Sequence, residues 1–343
     1  MTSKRKDFSA APSNSARPAS GDRRSFAGAA AVCLTWPLAM AQAPAKVLRI
    51  VVPYPPGGGM DAIARLLTDR IGQLESRPVI VENRAGAGGR LGIESVKRAD
   101  ADGSVVLLCP DFPLTIYPHI YKRLAYGLDD FSAVATCASS AYAVCVGPTL
   151  MSGVRTIADM LLWCRDHANE AVYASPSAGS AAHFAGFMLA RSAGLELTHV
   201  PYKGGASALQ DLIGGQVPFS INPIGEVMQY AQAGKLRVLA TTGSNRSRLL
   251  ANVPTLLESG IKDTVVSSWA GFFVPARTPV ALTQHLNASL STAIAAPDMT
   301  ALLQSLGMEV PSPSTSAMFS SMVHDDYKRW KAVVRLSGFN AED

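Results

Sequence analysis

Three segments of this 343-residue chain set glycine and hydroxyl residues at the start of a helix, an order suited to binding anions. The first is Pro55-Pro56-Gly57-Gly58-Gly59-Met60-Asp61. It follows the β-rich run 47–52 and precedes Ile63, Leu66, Leu67 and Ile71, which are apolar at helical spacing. The second, Ser175-Pro176-Ser177-Ala178-Gly179-Ser180, leads into a helix carrying His183. The third is Tyr202-Lys203-Gly204-Gly205. Glycine lets backbone N–H groups approach a ligand, and a helix start adds unpaired donors and the positive end of the macrodipole. One exposed terminus contributes only about 0.3–1 kcal/mol toward holding an anion, and about 2 kcal/mol when partly buried. Micromolar binding needs about 8 kcal/mol. A single such loop is therefore read as a capped turn, whereas three in one chain point to a cleft that gathers several of them.

Other chemistry leaves little trace. The histidines (His119, His167, His183, His199, His285 and His324) form neither a His-x-x-x-His pair nor His-Glu-x-x-His, so no zinc site is expected. The common nucleotide signatures are missing, and no cofactor is expected. There is no Gly-x-Ser-x-Gly nucleophile elbow. Ser180 and His183 share a helix face at i and i+3, which keeps a Ser/His enzyme open as an alternative, although no third group is identifiable.

These loops need strands and helices to hold them, and the composition supplies both. With 48% hydrophobic and 17% charged residues the chain is globular, and 28 Gly with 22 Pro exclude a long coiled coil. Its length suits two domains or one large α/β unit. The net charge of +5 is uneven. Residues 1–41 hold Lys4, Arg5, Lys6, Arg17, Arg23 and Arg24 against Asp7 and Asp22, leaving 25 basic and 24 acidic residues for the body. A near-neutral body offers no footprint for nucleic acid. The leader reads as an export signal, with a basic stretch, the apolar segment 25–38 and Ala39-Met40-Ala41 before a cleavage point; Ala41-Gln42-Ala43 is a second site. Arg23-Arg24-Ser25-Phe26 resembles the twin-arginine signal. Beyond the leader, Cys109, Cys137, Cys145 and Cys164 allow one or two disulfides or four buried thiols.

The body alternates β and α. Strands are expected at 78–82, 105–108, 172–174, 198–200, 217–221, 236–241 and 265–274, and helices at 91–97, 180–192, 206–213, 227–233, 279–295 and 315–336. This order implies parallel sheets with right-handed crossovers. The uncharged stretch 131–154 reads as strand, loop and strand. With 264–276 it suggests a chain that crosses to a second lobe and returns: lobe one at 44–142 plus 267–343, lobe two at 143–266.

Beyond these patterns lies a resemblance. Val52-Pro53-Tyr54-Pro55-Pro56-Gly57-Gly58, Val81-Glu82-Asn83-Arg84-Ala85-Gly86-Ala87-Gly88-Gly89, Val200-Pro201-Tyr202-Lys203-Gly204 and Trp269-Ala270-Gly271 resemble the substrate-binding proteins of tripartite tricarboxylate transporters, the Bug family. Ala233-Gly234-Lys235-Leu236-Arg237 and Val253-Pro254-Thr255 extend the match across 47–343. The resemblance implies a two-lobed periplasmic-binding-protein fold, type II-like, with two sheets flanked by helices and joined by two crossover strands. It implies a monomer that closes over a small carboxylate (di- or tricarboxylate, aromatic carboxylate or amino acid) and delivers it to a membrane permease. A signalling role beside a membrane sensor is the alternative. Carried over residue by residue, the site comprises Tyr54, Pro55, Gly57, Gly58, Gly59 and Asp61, then Ser175, Ser177, Gly179, Ser180 and His183, then Tyr202, Lys203 and Gly204. For His183 the alternatives are ligand contact and bracing of the helix turn; Lys203 is a ligand contact or a solvated turn residue. Glu82 and Arg84 are expected to organise their loop, and Trp269 to pack in the hinge.

The chain departs from that family at Met60, Pro176, Ser177, Pro218 and Asn222. It also carries Asp111 where relatives have small neutral residues. Asp111 is expected either to face the cleft, binding an ammonium or disfavouring a second carboxylate, or to cap a surface turn.

Overall fold

β-branched and apolar runs bounded by turn residues become nine strands among the described residues. They are β1 (Leu48–Val52), β2 (Val79–Asn83), β3 (Val105–Pro110), β4 (Phe131–Val146), β5 (Val172–Ser175), β6 (Thr198–Pro201), β7 (Phe219–Pro223), β8 (Arg237–Thr241) and β9 (Ser267–Pro275). The computed structural model describes residues 46–341, so the expected export leader lies outside the described residues. Between the strands run α1 (Gly59–Glu75), α2 (Arg90–Lys97), α3 (Phe112–Thr115), α4 (Tyr117–Ile120), α5 (Pro148–Met151), α6 (Ile157–Asp166), α7 (Ala181–Ala193), α8 (Gly205–Ile213) and α9 (Ile224–Gln232). The chain finishes with α10 (Val280–Ile294), α11 (Pro297–Ser305) and α12 (Ser316–Ser337).

Two sheets share one strand. In the first, β1 pairs in parallel with β2 and β3, and β9 runs antiparallel between β3 and β4. In the second, β5 is parallel to β6 and β7, while β7 and β8 both lie antiparallel to β4. β4 therefore belongs to both. It pairs with β9 from Phe131 to Ala141 and with β7 from Tyr142 to Val146. The sequence suggests a loop inside this stretch, and the structure corrects that: one 16-residue strand runs straight through to Val146. Ser and Ala are compatible with a strand when a paired neighbour supplies ladder hydrogen bonds, here β9 along Phe131–Ala141, so tertiary pairing overrides their weak propensity.

Each sheet is covered on both faces. Val106, Leu108, Val134 and Phe272 pack under Ile63, Leu67 and Ile71 of α1 and Leu286 and Leu290 of α10. Leu107, Phe273 and Trp269 meet Ile93 and Val96 of α2 and Phe319 and Val323 of α12 on the other side. In the second sheet, Val144, Tyr173, Phe219 and Ile221 pack on Phe184 and Leu189 of α7, and Ala143, Cys145 and Ala174 on Leu209 and Leu212 of α8. The 22-residue α12 contributes to both halves, because Trp330, Val333 and Val334 join the second sheet's core. Its start is fixed by Thr315, whose hydroxyl accepts from Met318 N at 3.2 Å.

Helices α6 and α11 were not anticipated from the sequence. α6 carries a readable signal: Thr156 accepts from Asp159 N while Asp159 accepts from Thr156 N, a reciprocal capping box. Pro297 at the first turn of α11 is likewise a favoured start.

Cys109, Cys137, Cys145 and Cys164 are free thiols buried among apolar side chains. Burial pushes all four above the ordinary thiol range, Cys164 to about 11. Only the thiolate reacts. An alkylating reagent at pH 8 is therefore expected to spare these four in the native protein and to label all of them once denaturant is added, without reductant. Labelling that appears only after reduction, read by peptide mass mapping, would establish disulfides instead.

Candidate functional site

The direction of β4 decides where the loops meet. β4 runs parallel to β1, β2 and β3, passes their carboxyl ends at Val52, Asn83 and Pro110, and enters the second sheet. There β5, β6, β7 and β8 run the opposite way and end at Ser175, Pro201, Pro223 and Thr241. The carboxyl ends of both sheets thus face one another across the middle of β4, where Ser140 pairs with Ser268 and Tyr142 with Pro223. Carboxyl ends of parallel strands are where open α/β sheets bind ligands.

From β1, the first loop is held by its own carboxylate. Gly57 has φ 88°, a left-handed turn that favours glycine. Its N–H donates to Asp61 Oδ2 at 2.9 Å. Arg65 Nε donates to the same oxygen at 2.9 Å, and Asn83 Nδ2 donates to Oδ1 at 3.0 Å. These bonds, led by that from Arg65, hold the Asp61 carboxyl down at about 2. Asp61 is buried, with both oxygens engaged inside the lobe, so it braces the loop. Pro55, Gly57 and Gly58 are exposed, Gly59 is half-buried, and the α1 start at Gly58 carries no side-chain cap. Tyr54 Oη is buried without a partner.

The second loop is closed by hydroxyls and a histidine pair. Fully buried Ser175 donates to Ser177 O at 3.1 Å or meets His199 Nε2 at 2.8 Å. Ser180 caps α7 by accepting from His183 N at 3.2 Å, and it donates to Ser177 O at 2.8 Å. The His183 ring accepts from Gly179 N at 3.1 Å and stacks on His199 with centroids 3.9 Å apart. Burial lowers His183 to about 4 and, together with the neighbouring His183, lowers His199 to about 3. Both rings are neutral at pH 7. Through Nδ1, His183 braces the turn at Gly179. Ser180 does not pair with its imidazole, so the geometry removes the nucleophile–base pair of the enzyme alternative.

The third loop is tied to the second through Gly204 N, which donates to Pro176 O at 2.8 Å. Tyr202 Oη donates to Asp211 Oδ2 at 2.8 Å, pinning the ring to α8. Lys203 is exposed, and the α8 start at Gly204 has no side-chain cap. α8 opens close against its neighbours. A Cβ on Gly205 would run into the Glu226 carboxyl and lie 2.9 Å from Asn222 Oδ1, so any larger residue would push the Glu226 side chain aside.

Several residues join the site that the motifs did not assign to it. Tyr142 and Ser268 sit on the crossover strands, in uncharged runs that give no sequence signal of a site. Asn222, one residue before the end of β7, is fully buried with Oδ1 unpartnered, and Glu226 lies in the first turn of α9. Asp111 is 0% exposed, which overturns the surface-turn alternative. Ser268 Oγ donates to its Oδ1 at 2.8 Å, Oδ2 has no partner, and burial pushes the carboxyl up to about 7. Glu82 and Arg84 pair with each other at 2.6 Å, and Trp269 packs on Phe273 and Phe319, as the sequence suggests.

Asp61→Asn tests the brace. A carboxyl with a lowered folded pKa adds stability above its unfolded value near 3.8, and that stability is lost as pH falls through about 2. The variant is expected to be less stable than the wild type by about 1–3 kcal/mol at pH 7, with the gap narrowing toward pH 2. Urea midpoints that differ equally at pH 7 and at pH 2.5 would contradict the assignment.

Comparison with known proteins agrees with this geometry. Residues 63–339 match the tripartite tricarboxylate transporter family receptor. The UPF0065 protein in the tcbD-tcbE intergenic region of Pseudomonas sp. (strain P51) is 33% identical over 326 residues, covering 94% of this chain and 96% of that protein. Among solved structures, MatC from Rhodopseudomonas palustris with bound malate is 28% identical with a TM-score of 0.67, over 85% of this chain and 99% of that one. An R. palustris protein solved with adipate is 27% identical with a TM-score of 0.71, over 87% and 99%. With its family match spanning most of the described residues and its site at the meeting of two sheets, the chain belongs to the periplasmic tripartite tricarboxylate transporter receptor family, the solute-binding proteins also called Bug proteins.

Proposed function

We propose that this chain captures a small carboxylate between two lobes, 44–142 plus 267–343 and 143–266, and hands it to the membrane permease of its transporter. The observation that carries this reading is the facing of the two sheets' carboxyl ends across β4, with the uncapped starts of α1 and α8 opening there from opposite sides. Their free N–H groups suit a carboxylate, and two facing termini multiply what one contributes. The change of pairing along β4, between Ala141 and Tyr142, supports the lobe division, with β4 and β9 as the hinge. Gly57, Gly58 and Gly59 of the first loop, and Ser177, Gly179 and Gly204 of the other two, are the proposed backbone contacts. Relatives bound to malate and adipate support the ligand class. Export through a leader cleaved after Ala41 or Ala43, with its twin-arginine-like Arg23-Arg24, fits a periplasmic receptor.

A thermal-shift screen of the purified chain against mono-, di- and tricarboxylates, amino acids and neutral solutes tests the reading. A ligand at 100 times its dissociation constant adds about 2.7 kcal/mol, which is a rise of several degrees for a protein of this size. The expected result is a shift confined to carboxylates. Stabilisation by neutral solutes alone would sink it.

A further inference from the structure

Asp111 is unusual among the buried acids of the described residues. Asp61 is paired with Arg65, Glu75 with Arg77 and His285, and Asp326 with Arg329. Asp111, with none of its surface exposed, is hydrogen-bonded through its side chain only to the Ser268 hydroxyl. No ammonium, guanidinium or imidazole among the described residues pairs with it, and Oδ2 accepts from nothing. Buried charges are normally paired, and an acceptor left open in a closed site calls for a donor from elsewhere.

The neighbouring groups repeat the pattern. From the second sheet, Asn222 presents an unpartnered Oδ1, and Glu226 brings its carboxyl beside Asn222 at the start of α8. Tyr142 lies between the two sides. Its β-strand partner is Pro223, the residue after Asn222, and its phenol is buried close to the Ser268 hydroxyl and within the influence of the Asp111 and Glu226 carboxyls. From the first sheet, Tyr54 Oη is also unpartnered. The helix starts supply donors for an anion, whereas Asp111 Oδ2, Asn222 Oδ1 and the Glu226 carboxyl supply acceptors. One ligand satisfying both sets carries opposite charges at its two ends.

We propose that Asp111 is a specificity-determining residue that accepts a hydrogen bond from a protonated nitrogen of the ligand, so the solute is an amino-carboxylate zwitterion and not a simple dicarboxylate. This rests on the carboxylate reading above and goes beyond it by fixing the second functional group. An N–H⁺ donor to Oδ2 completes the carboxyl that Ser268 already half-satisfies, and a charge-assisted bond in a dry site is a strong one. A second ligand carboxylate would meet Asp111 and Glu226 as like charges.

Protonation gives the proposal a second signature. With its folded carboxyl near 7, Asp111 must shed a proton to take an ammonium. Affinity for an amino-carboxylate is then expected to fall as pH drops from 8 to 6, while affinity for its desamino analogue holds or rises. The groups facing Asp111 are Tyr54, Cys109 and Tyr142, all pushed upward by burial, and Asp326, which is tied to Arg329 and Trp269. Glu226, acting through Tyr142, is also raised by burial, so the Asp111 variant is needed to separate the two.

The experiment is calorimetric titration of the wild-type chain and Asp111→Asn with matched sets, each an amino acid, its desamino carboxylate and its amide, at pH 6 and pH 8. The set includes aspartate with succinate and glutamate with glutarate. The expected result is wild-type preference for an amino acid over its desamino partner by at least about tenfold, the 1.4 kcal/mol of one decade. Asp111→Asn should lose that preference and the pH dependence while still binding the carboxylate. Equal or better binding of the desamino partner by the wild type overturns the proposal and leaves the carboxylate reading intact, and this arm needs no variant to fold. Binding that survives conversion of the carboxylate to the amide overturns the carboxylate reading as well.

Discussion

One strand passing through two sheets in a single direction is the constraint on which this protein depends. Because β4 is parallel to β1–β3 but antiparallel to β5–β8, the carboxyl ends of the two sheets are turned toward each other. Had the chain turned back before entering the second sheet, the two sets of loops would open on different sides. The same strand supplies Ser139, Ser140 and Tyr142 at the crossing, where neither sheet offers a full set of neighbours. Ser139 and Ser140 are tolerated there because their hydroxyls donate to Glu309 O and Gly307 O.

The loops at those ends divide their polar groups into two kinds. Asp61, Ser175, Ser180, His183 and Tyr202 use their side chains inside the protein, bonding to Gly57, Ser177, His199, Gly179 and Asp211. These bonds fix loop shape before any ligand arrives, which reduces the ordering cost of binding. Tyr54, Asp111 and Asn222 keep atoms unpartnered. Leaving a buried acceptor open costs about 1–3 kcal/mol, a cost that a bound donor would offset.

Movement between lobes is limited by what crosses the junction. β4 crosses as a strand, the chain returns to β9 after Val266, whose N–H donates to Thr242 O, and α12 packs Phe319 and Val323 against the first sheet and Trp330 and Val334 against the second. The 307–309 segment adds a link, with Glu309 accepting from Ser247 Oγ at 2.6 Å and pairing with Ser139 through its backbone.

By itself the sequence determined the alternation of strands and helices, most of their extents, and the three glycine- and serine-rich loops, because period-2 and period-3.6 patterns and turn residues are local properties. It also marked Asp111 as out of place. It left α6 and α11 unrecognised despite their starts at Thr156 and Pro297, and from Ser, Thr, Gly and Pro content it suggested a strand, loop and strand over 131–154, where one strand runs to Val146. Side-chain roles within the loops were not legible. Whether His183 faces a ligand or Gly179, or whether Asp61 is free or gripped by Arg65 and Asn83, depends on partners supplied by other segments. Only the tertiary structure set Ser268 and Tyr142 against Asp111 and brought Asn222 and Glu226 together at the start of α8. They come from different elements, brought together by the path of β4, and no spacing in the sequence records that path.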